Sequence, residues 1–248
     1  MVRQRFGQHF LVDHPVAIRE VGYAHLTKND VVLEIGPGGG IITRLLAEQA
    51  RQVIAIEIDQ RLIERLHDNV PNNVTVILGD VLDVDFQSLP PFTKIVSNLP
   101  FEISSPVTFK ILQYPFTLAI LIYQKDFAAR LVAEPGTKEY SRLSVGVSYK
   151  AACRILEDVD RSCFSPVPNV DSSIVELLPH RKPLFHVENE AFFFELTKQL
   201  FNHRRKKIKY SLKEMYRDID DIPFLNQRVE ELSPQQIGEL SNILYHRK

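Results

Sequence analysis

Short apolar runs alternate with helical patterns along the first half of the chain. The apolar runs, rich in β-branched residues, cover 31–35, 52–59, 73–80, 94–97 and 118–123. Helical spacing of apolar residues follows at 41–47, 61–69, 104–113 and 126–134, and a first such stretch covers 16–26. Continuous apolar runs are typical of strands buried on both faces, and strands that alternate with helices form parallel sheets. The pattern predicts an α/β fold with one mainly parallel sheet flanked by helices.

The second half begins with an ambiguous segment. Residues 140–152 fit either a strand or a helix, and we favour a helix. Arg154–Val159 and Ser173–Leu178 are predicted strands, which would close the sheet as an antiparallel hairpin. The proline-rich connection between them, FSPVP, has an extended backbone. Its first residue, Phe164, faces a pocket or fills a gap in the core, and the sequence leaves both alternatives open.

The composition shifts at Pro179, where a linker begins. An amphipathic helix over Glu188–Asn202 and several short helices are predicted beyond it. We therefore predict two domains, a catalytic domain over residues 1–180 and a small all-helical domain over 181–248.

Composition limits the function classes. The chain has 248 residues, 44% of them hydrophobic, and a formal net charge of −1. No apolar run approaches the roughly 18 residues of a membrane span, and no signal-peptide core follows the start. Cys153 and Cys163 lack metal-site or redox-motif spacing, so we expect reduced, structural cysteines and no bound metal. We predict a cytoplasmic monomer that does not bind membranes.

A glycine-rich turn, Gly36-Pro37-Gly38-Gly39-Gly40, lies between the first predicted strand and its helix. This is the first unit of a doubly wound fold, in which the backbone approaches a ligand. The G-x-G-x-x-G motif of nicotinamide sites fails because its third glycine position is Ile41. The pattern Glu34-x-Gly36-x-Gly38-x-Gly40 instead resembles motif I of the S-adenosylmethionine methyltransferases.

Two carboxylates end the next two strands. Glu57 is placed to accept both ribose hydroxyls of an adenosine. Asp80, at the end of the third strand, can accept from the amine of the same adenine. Together they predict an adenosine-containing cofactor.

The fourth strand ends in Asn98-Leu99-Pro100-Phe101. The Asn98 side-chain oxygen and the Leu99 backbone oxygen can accept the two hydrogens of an exocyclic amine, and Phe101 can stack on the ring. An ordinary turn is the alternative reading of these four residues. In this context we interpret them as the catalytic site for a flat base carrying an amine.

Basic residues are concentrated in two places. The arm Arg3–Leu11 interleaves Arg3 and Arg5 with two phenylalanines. Between His203 and Arg217 the formal charge is +6, from seven basic residues and Glu214: Arg204, Arg205, Lys206, Lys207, Lys209, Lys213 and Arg217. A solvated helix face is the simpler interpretation. We favour a phosphate-binding rim on both sides of the base pocket.

Seven segments in order resemble the KsgA-type rRNA adenine dimethyltransferases, along nearly the whole chain. They read GQHFL, EIGPGGG, IEID, GD, NLPF, FSPVPNVDSS and NHRRKKIKYSL. The resemblance implies a Rossmann-like catalytic domain, a helical C-terminal domain, S-adenosylmethionine as methyl donor, and two adjacent adenosines near the 3′ end of small-subunit rRNA as substrate. It places the cofactor against His9, Leu11, Gly36, Glu57, Asp80 and Asn98, with Gly38 in the turn. His9 and Leu11 rest on the resemblance alone, and family members often have Asn in place of His9 and Tyr in place of Phe101.

Three other functions compete with this interpretation. The large-subunit rRNA methyltransferases of macrolide resistance share the NLPF-like segment. A ribosome-assembly factor could use the basic surface with catalysis secondary. A dehydrogenase is disfavoured by Ile41. Phe101, Phe164, Arg204, Arg205, Lys206 and Lys207 are the predicted substrate-binding residues.

Overall fold

The computed structural model describes residues 8–67, 70–216 and 219–247. These residues form two compact units. The first contains the chain up to Ala128 together with Cys153–Pro179, and the second contains Ala129–Ala152 together with the chain from His180 onward. The predicted boundary at residue 180 coincides with the last crossing between the units. The assignment of 129–152 to the first domain is corrected, because this segment packs with the C-terminal helices.

A seven-stranded sheet organises the first unit. Its strands are β2 (Val31–Ile35), β3 (Gln52–Glu57), β4 (Val74–Leu78), β5 (Lys94–Asn98), β6 (Leu118–Gln124), β7 (Ala151–Val159) and β9 (Ser172–Pro179), in the spatial order β4-β3-β2-β5-β6-β9-β7. Strands β4 through β6 are mutually parallel, and β9 runs antiparallel to β6. The predicted α/β fold with a mainly parallel sheet is confirmed.

The order of the strands creates a site for a ligand. From the central β2, the chain moves outward to β3 and β4 on one side, then returns to β5 and β6 on the other. Open α/β sheets bind ligands at such a reversal, outside the carboxyl ends of the strands. The ends at Ile35, Glu57, Leu78 and Asn98 lie along this edge.

The helices of the first unit are α1 (His14–Tyr23), α2 (Ile41–Gln49), α3 (Gln60–His67), α4 (Ser104–Ile111) and α5 (Lys125–Leu131), the last of which continues into the second unit. The predicted cap of α1 is present, because Asp13 Oδ1 accepts from Val16 N at 2.9 Å and Pro15 lies in the first turn. Val16, Ala17 and Val21 of α1 pack in one hydrophobic core with residues of α2 and the sheet.

A second, two-stranded sheet ties the N-terminal segment to the proline-rich connection. It pairs β1 (Phe10–Leu11) with β8 (Phe164–Ser165) in antiparallel register, Phe10 opposite Ser165 and Leu11 opposite Phe164. Sequence reasoning did not predict this pairing, because neither segment is long enough to show the alternation of a strand.

The second unit is helical and has its own core. Its helices are α6 (Arg142–Lys150), α7 (Glu190–Asn202), α8 (Ile208–Lys213) and α9 (Pro234–Tyr245). Helix α6 confirms the helix favoured for this segment over residues 142–150, whereas Ala151 and Ala152 already belong to β7. Tyr149, Phe193 and Leu200 are among the buried residues of this core. Asn189 caps α7 and Ser233 caps α9, which fixes where both helices begin.

The described ranges contain neither a membrane-spanning helix nor a metal-ligating cluster. No helix there is both long and apolar enough to cross a bilayer. No cluster of three metal-ligating side chains occurs there. Cys153 and Cys163 are free thiols, and burial raises the pKa of Cys153 to about 12.

Candidate active site

A cavity of about 250 Å³ opens at the carboxyl edge of the sheet, where the strand order reverses. The ends of β2, β3 and β5, the turn after β4 and residues 8–10 form its walls. The predicted site residues that line it are His9, Gly36, Gly38, Glu57, Asp80, Asn98, Leu99 and Phe101. The fold therefore brings together residues that are spread over 93 positions of the sequence.

The glycine turn contributes Gly36 and Gly38 to the cavity wall. Gly36 and Gly38 have φ of +71° and +54°, in the left-handed region that side chains disfavour. A Cβ on Gly38 would lie 2.7 Å from Cδ1 of Phe10, whose ring also lines the cavity. The turn thus requires glycine at position 38 for both conformation and space.

Glu57 is held from three sides by the backbone. Its Oε1 accepts from the amides of Ile58 and Asp59, both at 3.0 Å, and its Oε2 accepts from Gly38 N at 3.3 Å. Burial raises the pKa of this carboxyl, although the backbone donors oppose the shift. The glycine turn and the end of β3 are therefore fastened together through the carboxylate that faces the cavity.

Asp80 lies at the turn after β4. One oxygen, Oδ1, accepts from Leu82 N at 2.8 Å, which orients the carboxylate. Glu57 and Asp80 thus present two acceptors from neighbouring strand ends to one cavity. That these two acceptors hold the two ends of one adenosine stays a prediction from the sequence.

Asn98 has one end of its amide fixed and the other left open. Its Nδ2 donates to the main-chain carbonyl of His9 at 3.1 Å. Its Oδ1 is buried, and no donor in the described part of the chain reaches it. A buried acceptor without a partner costs free energy, so a ligand that supplies an N–H would satisfy it. Sequence reasoning could not find the His9 contact, which spans 89 residues.

Two aromatic rings lie beside this amide. The rings of His9 and Phe101 are stacked, with centroids 5.5 Å apart and planes 27° apart. His9 Nδ1 lies 2.7 Å from the carbonyl oxygen of Pro166. Because a carbonyl only accepts, Nδ1 carries the proton in this contact. Leu99 buries its side chain and contributes to the cavity at the turn that leads into Phe101.

Two predicted site residues lie elsewhere. Phe164 is 1% exposed and belongs to the hydrophobic core of the first unit, so the expectation that it faces the pocket beside Phe101 is corrected. Its pairing with Leu11 turns both side chains into that core, and Leu11 is likewise buried away from the cavity lining. The remaining alternative for Phe164, a ring that fills the core, is what the structure shows.

The basic residues of the second unit divide by their contacts. Arg204 donates to Glu230 Oε2 at 2.8 Å and to the Lys138 carbonyl at 3.0 Å, so it is held within its own unit. Arg205, Lys206 and Lys207 form an exposed basic turn between α7 and α8. The predicted contributions of Arg3, Arg5 and Arg217 lie outside the described residues.

Two further carboxyls of the first unit are almost fully buried: Glu34, which sequence reasoning named in the glycine-rich motif without a role of its own, and Glu20, which it did not consider. Glu34, on β2 before the glycine turn, is 1% exposed, and burial raises its pKa to about 8. Glu20, on α1, is fully buried, and burial together with the neighbouring Glu34 raises its pKa well above the usual range. No donor in the described ranges reaches either oxygen of Glu20 or Oε2 of Glu34.

The sheet order, the glycine turn and the paired acceptors define a methyltransferase of the Rossmann-like, S-adenosylmethionine-dependent class. The chain belongs to the family described as "Ribosomal RNA adenine dimethylase", which matches residues 1–245. The resemblance found in the sequence is thereby confirmed.

Relatives and solved structures agree with this assignment. Proteins named "Probable ribosomal RNA small subunit methyltransferase A" from Methanosarcina acetivorans and Methanococcus vannielii are 44% and 43% identical, each over 98% of this chain and 94% and 96% of their own. A dimethyladenosine transferase from Plasmodium falciparum superimposes with a TM-score of 0.81 at 28% identity, covering 94% of this chain and 96% of its own. The 23S rRNA methyltransferase ErmE gives 0.68 at 30% identity, covering 94% and 98%.

Proposed function

We propose that this protein transfers methyl groups from S-adenosylmethionine to the N6 amines of two adjacent adenosines near the 3′ end of small-subunit rRNA, giving dimethyladenosine. The names of the archaeal relatives and of the Plasmodium structure support the reaction and the ribosomal subunit. The observation that carries the proposal is the buried Oδ1 of Asn98, an acceptor without a protein partner in the described ranges, in the wall of the cavity.

Asn98 and Leu99 act on the amine of the base. The lone pair of an adenine amine is delocalised into the ring, so the amine is a weak nucleophile. Hydrogen bonds from its two N–H groups to Asn98 Oδ1 and the Leu99 carbonyl would turn the lone pair out of the ring plane. These acceptors stabilise the transition state as fixed dipoles and also align the nitrogen. They require no metal ion in the reaction.

Phe101 replaces the stacking that an adenine loses when it leaves its helix. Stacking on an aromatic side chain contributes about 1–3 kcal/mol per base. His9 already covers one face of the Phe101 ring. The adenine would therefore stack against the other face of Phe101, with its amine toward Asn98.

The cavity fits the methyl donor at three positions. Gly38 lets the backbone approach, because a side chain there would collide with Phe10. Glu57 would accept from the ribose hydroxyls and Asp80 from the adenine amine of the donor. When bound, S-adenosylmethionine supplies an electrophilic methyl carbon next to a sulfonium.

The exposed basic turn, Arg205 to Lys207, would bind RNA phosphates. In a chain with a net charge of −1, such local clustering is the expected footprint of a nucleic-acid site. Arg204 contributes less to this surface, because Glu230 neutralises it. We propose that the protein acts as a cytoplasmic monomer on ribosomal subunits.

Incubation with labelled S-adenosylmethionine tests the proposal. Small subunits that lack the modification, matched large subunits and fully modified small subunits serve as parallel substrates. Label is expected in dimethyladenosine from the unmodified small subunits alone, as shown by nucleoside analysis. Label in the large subunit would instead identify an activity of the macrolide-resistance type. This alternative is tested because the chain is similar to the 23S rRNA methyltransferase ErmE. Binding to small subunits without any label would support a non-catalytic assembly factor.

A further inference from the structure

We propose that Lys110 is a positioning residue for the cofactor, which holds the turn after β4 so that Asp80 faces the adenine amine of S-adenosylmethionine. The inference rests on the proposed function, because the contact between Asp80 and that amine is part of it. Lys110 lies on α4 and does not line the cavity. It would therefore act through the turn, without touching the cofactor.

Residues 80–84 form a turn that is closed by main-chain amides. The Asp80 carbonyl accepts from the amides of Asp83 at 2.9 Å and Val84 at 3.0 Å. The Asp80 side chain accepts from Leu82 N at 2.8 Å. Only one of the five side chains of this turn is buried, so apolar packing does little to fix the direction in which the Asp80 carboxylate points.

The ammonium group of Lys110 gives this turn a fixed point. Its Nζ donates to the main-chain carbonyls of Leu82 and Val84, both at 2.7 Å. An ammonium has three N–H donors on one atom, so it can bind both carbonyls at once. Nζ also lies over the ring of the buried Phe86, 5.0 Å from its centroid, where the face of the ring attracts a cation. Residues 82–86 therefore curve around one charged atom.

Helix α4 holds Lys110 at a constant position relative to the sheet. Val107 and Ile111 of this helix are completely buried. The Thr108 hydroxyl lies 2.7 Å from the buried hydroxyl of Tyr123 on β6. The helix is thus attached to the sheet by both apolar packing and a polar contact. Lys110 carries this fixed position over to the turn after β4.

Asp80 is the residue through which Lys110 would affect the cofactor. A hydrogen bond requires its donor and acceptor to be well aligned and within about 3.2 Å. Without the ammonium, the carbonyls of Leu82 and Val84 would turn toward water, and the Asp80 carboxylate would lose its fixed direction. Lys110 would thus determine how strongly the site distinguishes an amine from an oxygen at this position of the purine.

Isothermal titration with two ligands tests this inference. S-adenosylhomocysteine carries the amine, and S-inosylhomocysteine carries a carbonyl oxygen in its place. The Kd of each ligand and the Tm are measured for wild type, Lys110→Met and Lys110→Arg. Lys28→Met is the matched control, because Lys28 Nζ also donates to two main-chain carbonyls, those of Glu48 at 2.7 Å and Ala50 at 3.5 Å, and Lys28 does not line the cavity.

We expect wild type to prefer S-adenosylhomocysteine about tenfold or more, because the oxygen of the analogue would oppose the Asp80 carboxylate. Lys110→Met should reduce this preference to within about threefold, through a weaker Kd for S-adenosylhomocysteine and little change for the analogue. Lys110→Arg retains the charge and the N–H donors in a different shape, so its preference should lie between the two. Lys28→Met should match wild type.

An equal loss of affinity for both ligands in Lys110→Met would show a general structural role and overturn the inference. So would an unchanged preference in Lys110→Met or, should that variant not fold, in Lys110→Arg. A wild-type protein that binds both ligands equally would overturn it as well, because Asp80 would not contact the amine. A wild-type protein that shows the preference and yields no dimethyladenosine would overturn the proposed methyl transfer instead, so the two failures are distinguishable.

Discussion

The ring of Phe10 occupies the space beside Gly38 that a side chain would need. A Cβ built on Gly38 lies 2.7 Å from Cδ1 and 2.9 Å from Cε1 of that ring. The next residue, Gly39, has no atom within 4 Å of its corresponding position. Two adjacent glycines of one turn thus differ sharply in what they tolerate.

We predict that Gly38→Ala weakens the binding of S-adenosylmethionine and destabilises the fold. The φ of +54° alone costs an L-residue about 1–2 kcal/mol, and the collision with Phe10 adds to this. Isothermal titration should show a Kd raised by about tenfold or more, equivalent to ~1.4 kcal/mol or more. Gly39→Ala is the control and should bind within about twofold of wild type. Equal affinities for the two variants would contradict a close approach of the turn to the cofactor.

We predict that Asp80→Asn weakens cofactor binding through a reversal of polarity. The substituted amide keeps an oxygen for Leu82 N, and the other end becomes a donor that faces the donor amine of adenine. The Kd should rise about tenfold, because a hydrogen-bond pair is replaced by two opposed donors. Asp83→Asn, an exposed carboxylate three residues away, should leave the Kd unchanged. An unchanged Kd in Asp80→Asn would remove Asp80 from the proposed adenine contact.

Local patterns predicted the parts of the site that follow from strand order. Glu57 and Asn98 end parallel strands and Asp80 follows the end of a third, and parallel strands place their carboxyl ends at one edge. The glycine turn and the α/β fold were likewise predictable, because runs of apolar residues and helical spacing are local signals.

Long-range pairing accounts for what the sequence did not predict. Phe164 is buried because β8 pairs with β1, which begins more than 150 residues earlier. Arg204 is neutralised by Glu230, 26 residues later, so its charge is not free for RNA. Segment 129–152 belongs to the second unit because Tyr140, Val145 and Tyr149 pack in its core. No boundary signal in the sequence indicates this assignment.

We predict that Asn98→Ala abolishes methyl transfer with little effect on the cofactor. Removal of one preorganised polar group from a transition state typically costs about 10²–10³ in kcat. The Kd for S-adenosylhomocysteine should stay within about threefold, since the proposed cofactor acceptors Glu57 and Asp80 are retained. Asn29→Ala, on an exposed turn, controls for the substitution itself. Residual transfer near the wild-type rate would show that the amide oxygen does not hold the substrate amine.

We predict that Glu34 makes the fold less stable as the pH rises. Its pKa is about 8 in the folded protein and 4.5 when exposed, so the unfolded chain loses this proton first. The free energy of unfolding should therefore fall between about pH 4.5 and pH 8, by ~1.4 kcal/mol for each unit of pKa difference retained. Glu34→Gln cannot ionise, so its Tm relative to wild type should be higher at pH 8 than at pH 5, by several degrees at about 2–4 °C per kcal/mol.

Two comparisons separate the ionisation of Glu34 from other pH-dependent contributions to the Tm. Glu20 also has a raised pKa and is present in both proteins, so only the difference between the two melting curves is attributed to Glu34. Glu48→Gln, an exposed carboxyl on α2, should show the same Tm difference from wild type at both pH values. A pH-independent difference for Glu34→Gln would mean that Glu34 is ionised in the folded protein.

We predict that the basic turn and Arg204 have separable roles. Replacement of Arg205, Lys206 and Lys207 together by Gln should weaken RNA binding and reduce the slope of log K against log salt by about two to three, since each phosphate contact contributes ~0.7–0.9. The Tm should not change, because these side chains are exposed. Arg204→Gln removes the ion pair that Arg204 forms with Glu230. It should lower the free energy of unfolding by about 1–3 kcal/mol and change the salt slope less than the triple variant does. The triple variant removes exposed charge without loss of stability, whereas Arg204→Gln lowers stability and removes little charge that faces RNA. Equal salt slopes for the two variants would contradict phosphate binding by the turn.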